Sequence, residues 1–293
     1  MSDLRPMEFG EVLDGAFTMY RRNFGLFFRL SVAISAVPAA LFLYLQFRFS
    51  GTTPDQSMAV FQTHLGELIG LGLLWAVLAM CAKVMLTAGA IHVISASYLG
   101  RPATLGEALR LGASKIVPLI LVGLGKWLLV FIIYLVGVVI WALLVGVSGV
   151  GGPVFVVVVA VGGGIALLWF LAFVLSGYAL TTPAVVLEEL SSSFDAFGRS
   201  WDLTRSHKLK VFFLWLVGWL LTWFVPFLFF FGLGVLVSLR APSLQLPLVV
   251  VNTVVSIALA AALPCVYTLM YYDLRMRREG FDLQLLGQQL GIG

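Results

Sequence analysis

No charged side chain occurs from Trp127 to Leu187, a run of 61 residues. A soluble domain is about 25% charged, so a run of this length belongs to a chain whose solvent is lipid. One membrane helix needs about 20 mainly apolar residues, and the run is long enough for two. Ser148-Gly149-Val150-Gly151-Gly152-Pro153 supplies the turn between them. The first of the two spans covers roughly 116–146 and holds Lys126; the second covers roughly 153–186. Membrane β-strands alternate apolar and polar residues over about ten positions. Leu128 to Tyr134 is apolar on every side, so the run is read as helix.

Four more spans follow from the same rule: 25–47, ended by Arg48; 68–94, with Lys83 inside it; 211–239; and 248–272, after Arg240-Ala241-Pro242. Across all 293 residues, 61% are hydrophobic and 11% charged. These proportions exclude intrinsic disorder, a cytosolic enzyme domain and a small disulfide scaffold. The first apolar run is longer than the core of a secretory signal. Cys81 and Cys265 lie inside apolar segments without metal-ligand spacing and read as small buried hydrophobes. No cofactor and no metal are expected.

Lysine and arginine set the orientation. One side of the membrane receives Arg5, Arg21, Arg22, Arg29, Arg101, Arg110, Lys115, Arg199, Arg205, Lys208, Lys210, Arg275, Arg277 and Arg278; the other receives Arg48 and Arg240. The basic side faces the cytoplasm. Both termini are then cytoplasmic, in keeping with an even number of spans. The net charge of +4 is an orientation signal rather than a nucleic-acid footprint, since no continuous basic stripe forms.

A short amphipathic helix precedes spans one, three and five. In the first, Phe9, Val12, Leu13, Ala16, Phe17 and Tyr20 keep the helical period, opposite Glu8, Glu11 and Asp14, with Arg21 and Arg22 at its end. In the second the stripe is Leu105, Ala108, Leu109, Gly112 and Ile116, and Thr104 with Glu107 forms a capping box. In the third it is Phe194, Phe197 and Trp201, and Ser192 with Asp195 gives a similar start. Glu11, Glu107 and Asp195 fall in register, 96 and 88 residues apart, each followed five positions on by a small residue, Ala16, Gly112 or Ser200. The expected fold is all-α: a polytopic membrane bundle of six transmembrane helices. It is built as three repeats of interfacial helix plus hairpin, at about 7–99, 103–187 and 191–275, in a single domain with a tail at 276–293. Gly280-Phe281-Asp282-Leu283 resembles the start of a fourth repeat. Helices too polar to span, with an apolar face and basic ends, lie among lipid headgroups; packing on the bundle ends is the simpler role for them.

Two blocks carry a family resemblance. One runs from Met7-Glu8-Phe9-Gly10-Glu11 through Tyr20-Arg21-Arg22-Asn23-Phe24; the other is Tyr271-Tyr272-Asp273-Leu274-Arg275-Met276-Arg277-Arg278-Glu279-Gly280-Phe281-Asp282-Leu283. With Gly106-Glu107-Ala108-Leu109 and Phe197-Gly198-Arg199-Ser200-Trp201, they resemble the glycerophosphoryl diester phosphodiesterase membrane domain. The resemblance implies a bacterial inner-membrane protein without the catalytic barrel, and it carries over no catalytic residue.

No metalloprotease, nucleophile-elbow or phosphate-loop motif is present. His64 falls in an outer loop, His92 near the inner end of span two and His207 in an inner loop. Gly162-Gly163-Gly164 reads as close helix packing. Glu188 and Glu189 read as the start of the third amphipathic helix. Pro38, Pro226 and Pro264 mark kinks in spans one, five and six. The costly residues are Lys83 and Lys126, since a lysine at the centre of a span costs about 2.5–3.5 kcal/mol. Neither has an acid within the apolar runs. With His92, they are the candidate site for an anionic lipid or solute. The expected function is non-enzymatic: binding an anionic lipid or scaffolding a membrane or cytoplasmic protein partner. A permease using a cavity near Lys83 and Lys126 is the alternative, and a lipid-modifying enzyme the third reading.

Overall fold

The computed structural model describes residues 7–48 and 54–279, and within them all regular structure is helical. Twelve α-helices follow one another: α1 (Phe9–Arg22), α2 (Phe24–Arg48), α3 (Pro54–Tyr98), α4 (Leu105–Ser114), α5 (Ile116–Ser148), α6 (Pro153–Gly177), α7 (Thr181–Leu187), α8 (Asp195–Thr204), α9 (Lys208–Trp219), α10 (Val225–Arg240), α11 (Gln245–Leu259) and α12 (Ala262–Glu279). Six stretches are long and apolar enough to cross a membrane: Phe24–Arg48, Thr63–Tyr98, Ile116–Gly151, Pro153–Leu187, Lys208–Val237 and Gln245–Glu279. They present large apolar side chains outward, among them Leu143, Val147, Val154 and Phe229. That is the arrangement expected when the surrounding medium is hydrocarbon and backbone groups must pair internally.

The turn after α5 is the glycine-rich one the sequence marks. A 3₁₀ turn at Gly149–Gly151 leads to Gly152 at φ 86°, a conformation that favours glycine, and Pro153 opens α6. Three spans are less regular than their apolar runs suggest. The fourth breaks between α6 and α7, and the sixth breaks at Ala260–Ala261, just before Pro264. The fifth carries a π-helical turn at Leu220–Phe224, after which Pro226 lies in the first turn of α10. Pro38, by contrast, lies within an unbroken α2. His64 is not in a loop: α3 already begins at Pro54 and bends at His64, whose φ is −112° and ψ 17°. The proposed fourth-repeat start at 280–283 lies outside the described residues.

The chain divides into two compact units. The first contains Gly10–Ile116 and Val217–Leu269; the second contains Val117–Leu216 with residues 7–9 and 270–279 of the described chain. Phe27, Leu30, Ile91, Ile94 and Leu269 are fully buried in the first, and Leu180, Leu203, Leu214, Met270 and Leu274 in the second.

All three short amphipathic helices form, and each buries its small residues. Val12 and Ala16 in α1, Ala108 and Gly112 in α4, and Ala196 and Ser200 in α8 are the buried pairs, one and five positions after Glu11, Glu107 and Asp195. The aromatic edge of the stripe stays outside: Phe17 is 62% exposed, and Phe9 and Phe194 are exposed too. Leu109, Phe197 and Trp201 are half-buried, and Arg21 and Arg22 are exposed.

These helices satisfy backbone groups that the broken spans leave open. The last carbonyls of a helix have no partner within it. In the first unit, the Tyr20 hydroxyl donates to the carbonyl of Ala258 at 2.6 Å, in the last turn of α11. In the second, the hydroxyls of Ser200 and Thr204 donate to Gly177 O at 2.8 and 3.2 Å. The Leu180 N–H, at the start of α7, donates to Ser200 Oγ at 3.2 Å. α4 docks on α3 through glycine: a Cβ on Gly112 would meet Met85 O at 2.6 Å, and one on Gly89 would meet Ala108 O at 2.9 Å. The capping box at Thr104 and Glu107 is complete. At α8 the match is partial: Asp195 accepts from Ser192 N–H at 2.8 Å, while the Ser192 hydroxyl accepts from Phe194 N–H.

Candidate functional site

Lys83 and His92 belong to the first unit and Lys126 to the second. Lys83 lies on the exposed side of α3, and its ammonium sits over the ring of Trp223, 5.2 Å from the centroid. Trp223 is part of the π-helical turn, so the widened turn aims this indole. A cation over an indole face is favourable, and more so when both are desolvated. His92 is nine positions along the same helix, about 14 Å away at ~1.5 Å per residue. Its Nε2 lies 4.0 Å from Glu107 Oε2, so its neighbour is the capping box of α4 rather than Lys83. Lys126 is half-buried on α5 and makes no hydrogen bond, ion pair or ring contact among the described residues.

The second unit holds an ionic cluster at the basic ends of its helices. Asp273 is fully buried on α12. Its carboxylate accepts from Lys210 Nζ at 2.6 Å, from Met7 N–H at 2.7 Å and from Arg277 Nε at 3.1 Å. Lys210 and Arg277 also donate to Met7 O, at 2.6 and 2.7 Å. One carboxylate thus ties α9, α12 and the chain before α1 together. A second group lies beside it on α12. Glu188 accepts from the Tyr271 hydroxyl at 2.5 Å and from Arg199 Nε at 2.8 Å, Arg199 pairs with Glu279, and Arg275 donates to Glu279 at 2.9 Å.

Glu188 corrects the sequence reading. It does not start the third amphipathic helix but caps the C-terminus of α7 in extended backbone, φ −111° and ψ 150°, while α8 begins at Asp195. Its carboxylate is drawn away from helix initiation by Arg199 and Tyr271. The Tyr271 to Glu279 block, which carried the family resemblance, supplies most of both groups. What marked it in sequence is a lone Asp where apolar sequence turns basic. Its distant partners Lys210 and Met7, 63 and 266 residues away, have no local signal.

His207 lies beside the first group. Its pKa is lowered from the ordinary value, first by desolvation and then by Arg277 and Lys210, with Asp273 acting in the opposite sense. Its buried Nδ1 has no hydrogen-bond partner among the described residues. The folded protein therefore favours the neutral imidazole, while the unfolded chain takes up a proton at about pH 6.5. Stability that is complete above pH 6.5 is lost as pH falls below it, until the folded imidazole is itself protonated. Melting temperatures in detergent between pH 8 and 5 should fall over that window, less so in His207→Gln. An equal fall in both proteins would assign the dependence to other groups.

Of Gly162–Gly164, only Gly163 makes a close approach; Gly162 has nothing within 4 Å of a virtual Cβ. A Cβ on Gly163 would lie 2.8 Å from Trp141 Cδ1, and the Trp141 indole donates to Ala160 O at 3.0 Å. Among the described residues, no three His, Cys, Asp or Glu side chains gather to hold a metal ion.

A family profile matches residues 7–272 of the chain. The chain belongs to that family, described as a domain of unknown function (DUF7847). All three amphipathic helices lie within the matched residues, as do Met7, Glu188, Arg199, Lys210 and Tyr271 of the two ionic groups, while Asp273, Arg275, Arg277 and Glu279 follow them. No curated protein and no solved structure matches the chain.

Proposed function

We propose that the chain is a non-enzymatic protein of the bacterial cytoplasmic membrane, with its basic helix ends and both termini inside, and that it binds an anionic lipid. One observation carries this reading: two lysines lie within apolar spans, and neither has a carboxylate partner among the described residues. A lysine in a span is paired, snorkels to the surface or marks a binding path. A lipid phosphate supplies the missing anion in either unit. The exposed Phe9, Phe17 and Phe194, beside basic residues, suit helices that rest among headgroups. The register of Glu11, Glu107 and Asp195 supports a threefold repeat, and the two quoted blocks support kinship with the glycerophosphoryl diester phosphodiesterase membrane domain. A protein partner scaffolded at the same helices is part of this reading.

Native mass spectrometry after mild extraction tests it. The wild type should retain an anionic lipid, and Lys83→Met/Lys126→Met should lose most of it. Equal retention by both would make the lysines structural. A permease is the second reading, favoured by the π-helical turn and by the breaks in spans four and six. Flux of an anionic solute in reconstituted vesicles, lost in the same variant, would support it over simple binding.

A further inference from the structure

In the second unit, α5 and α6 enclose an open groove of about 500 Å³. Its wall includes Ile133, Gly137, Trp141, Leu144, Leu167 and Phe170, with no charged side chain. The one polar group there, the Trp141 indole N–H, is already bonded to Ala160 O. We infer that this groove holds one acyl chain of an anionic glycerophospholipid, and that Lys126 meets its phosphate. The inference rests on the proposed reading of Lys126 as an anion partner, and adds where the rest of the molecule lies.

Helix geometry joins the lysine to the groove. Ile133, Gly137 and Leu144 follow Lys126 by seven, eleven and eighteen residues, close to two, three and five turns at about 3.6 residues per turn. Lys126 is therefore on the face of α5 that lines the groove, about 10 Å nearer the basic end than Ile133. The groove runs along α5 from Ile132 to Leu144, about 18 Å. It starts about 9 Å beyond Lys126, so a chain of about 15 Å reach, half of a ~30 Å hydrocarbon core, enters its near end.

The depth of Lys126 also suits a phosphate. α5 has 33 residues, about 50 Å of helix, and so exceeds a hydrocarbon core of about 30 Å. The uncharged stretch from Trp127 to Val147 alone spans about 31 Å. Trp127, 76% exposed, then stands at the boundary where tryptophan gathers. The amphipathic α8 meets α5 at the same level: a Cβ on Gly125 would lie 3.1 Å from Phe197 and 3.2 Å from Phe194. A second cation lies near the basic end of the groove. Lys208 sits over the rings of Trp201 and Phe173, and Phe173 is three residues beyond the groove-lining Phe170. An apolar wall excludes a free phosphate as the whole occupant, and an unpartnered ammonium at its head favours a charged lipid over a neutral one.

The test places the purified full chain in nanodiscs of equal phosphatidylglycerol and phosphatidylcholine with identical chains. Retained lipids are then counted by native mass spectrometry. Wild type should keep phosphatidylglycerol in preference. Lys126→Gln should lower that preference about fivefold, the effect of one lysine near a charged membrane surface, and Lys126→Arg should restore it. Ala166→Phe, which fills the groove, should cut retention of both lipids about tenfold or more, with Ile133→Trp as a second filling variant should the first not fold. Loss of preference in Lys126→Gln with full retention in both filling variants would overturn the groove and leave the anion reading standing. Unchanged preference in Lys126→Gln would overturn both.

Discussion

Replacing Asp273 by asparagine should destabilise the protein by about 3–5 kcal/mol, the usual result of removing one partner from a buried ion pair. The Asp273 carboxylate is fully buried and accepts from Lys210, Arg277 and the Met7 N–H. Asparagine keeps the shape but leaves Lys210, itself only 16% exposed, beside a neutral group. Lys210→Met should also be destabilising, but less so, since Arg277 still faces the carboxylate. The double variant Asp273→Asn/Lys210→Met should recover part of the loss, because the more buried of the two cations is then gone and only Arg277, 27% exposed, is left without the carboxylate. Thermal unfolding of all four proteins in one detergent measures the coupling. Additive losses in the double variant would show that the two side chains stabilise the fold independently.

The second large effect is expected at Gly112. Its Cα hydrogen faces the Met85 carbonyl, and a Cβ would lie 2.6 Å from that oxygen and 3.0 Å from Met85 Cγ. Backbone cannot retreat as a side chain can. Gly112→Leu should therefore separate α4 from α3 and cost about 3 kcal/mol, the upper part of the range for overpacking. Gly106 is the internal control, since it lies in the same helix with nothing within 4 Å of its virtual Cβ. Gly106→Leu should stay within about 0.5 kcal/mol of wild type. Similar losses at both glycines would mean that backbone freedom, not contact, is what α4 requires.

Much of the fold was legible because membrane helices announce themselves by length. The turn at Ser148–Pro153, the capping box of α4 and all three amphipathic helices carry local signals: glycine at positive φ, a Thr and a Glu three apart, an apolar stripe. The breaks at 178–180 and at Ala260–Ala261 carry almost none. A span apolar on every side has no periodicity to lose, so an interruption inside it reads as more of the same; only Pro183 and Pro264 hint at them. What permits the breaks is tertiary. Ser200, Thr204 and Tyr20 satisfy carbonyls freed there, and nothing at Gly177 or Ala258 names those partners. The candidate lysines were visible because charge is rare in such runs. Trp223 was not, because it meets Lys83 through a π-helical turn between residues 140 apart in sequence. Glu188 was misread for the opposite reason: an acid just before a helix is ordinarily an N-terminal signal, and here Arg199 and Tyr271 claim it.

Orientation in the membrane is the claim on which the proposed protein with basic helix ends and both termini inside depends. Substituted-cysteine labelling tests it most directly. With Cys81 and Cys265 replaced by alanine, single cysteines go at Val150 and Ser243 in the sparsely charged turns and at Ser206 in the basic loop between α8 and α9. A membrane-impermeant maleimide applied to intact spheroplasts should label Val150→Cys and Ser243→Cys, and should reach Ser206→Cys only after the membrane is opened. Labelling of Ser206→Cys in intact spheroplasts, with Val150→Cys protected, would contradict the orientation.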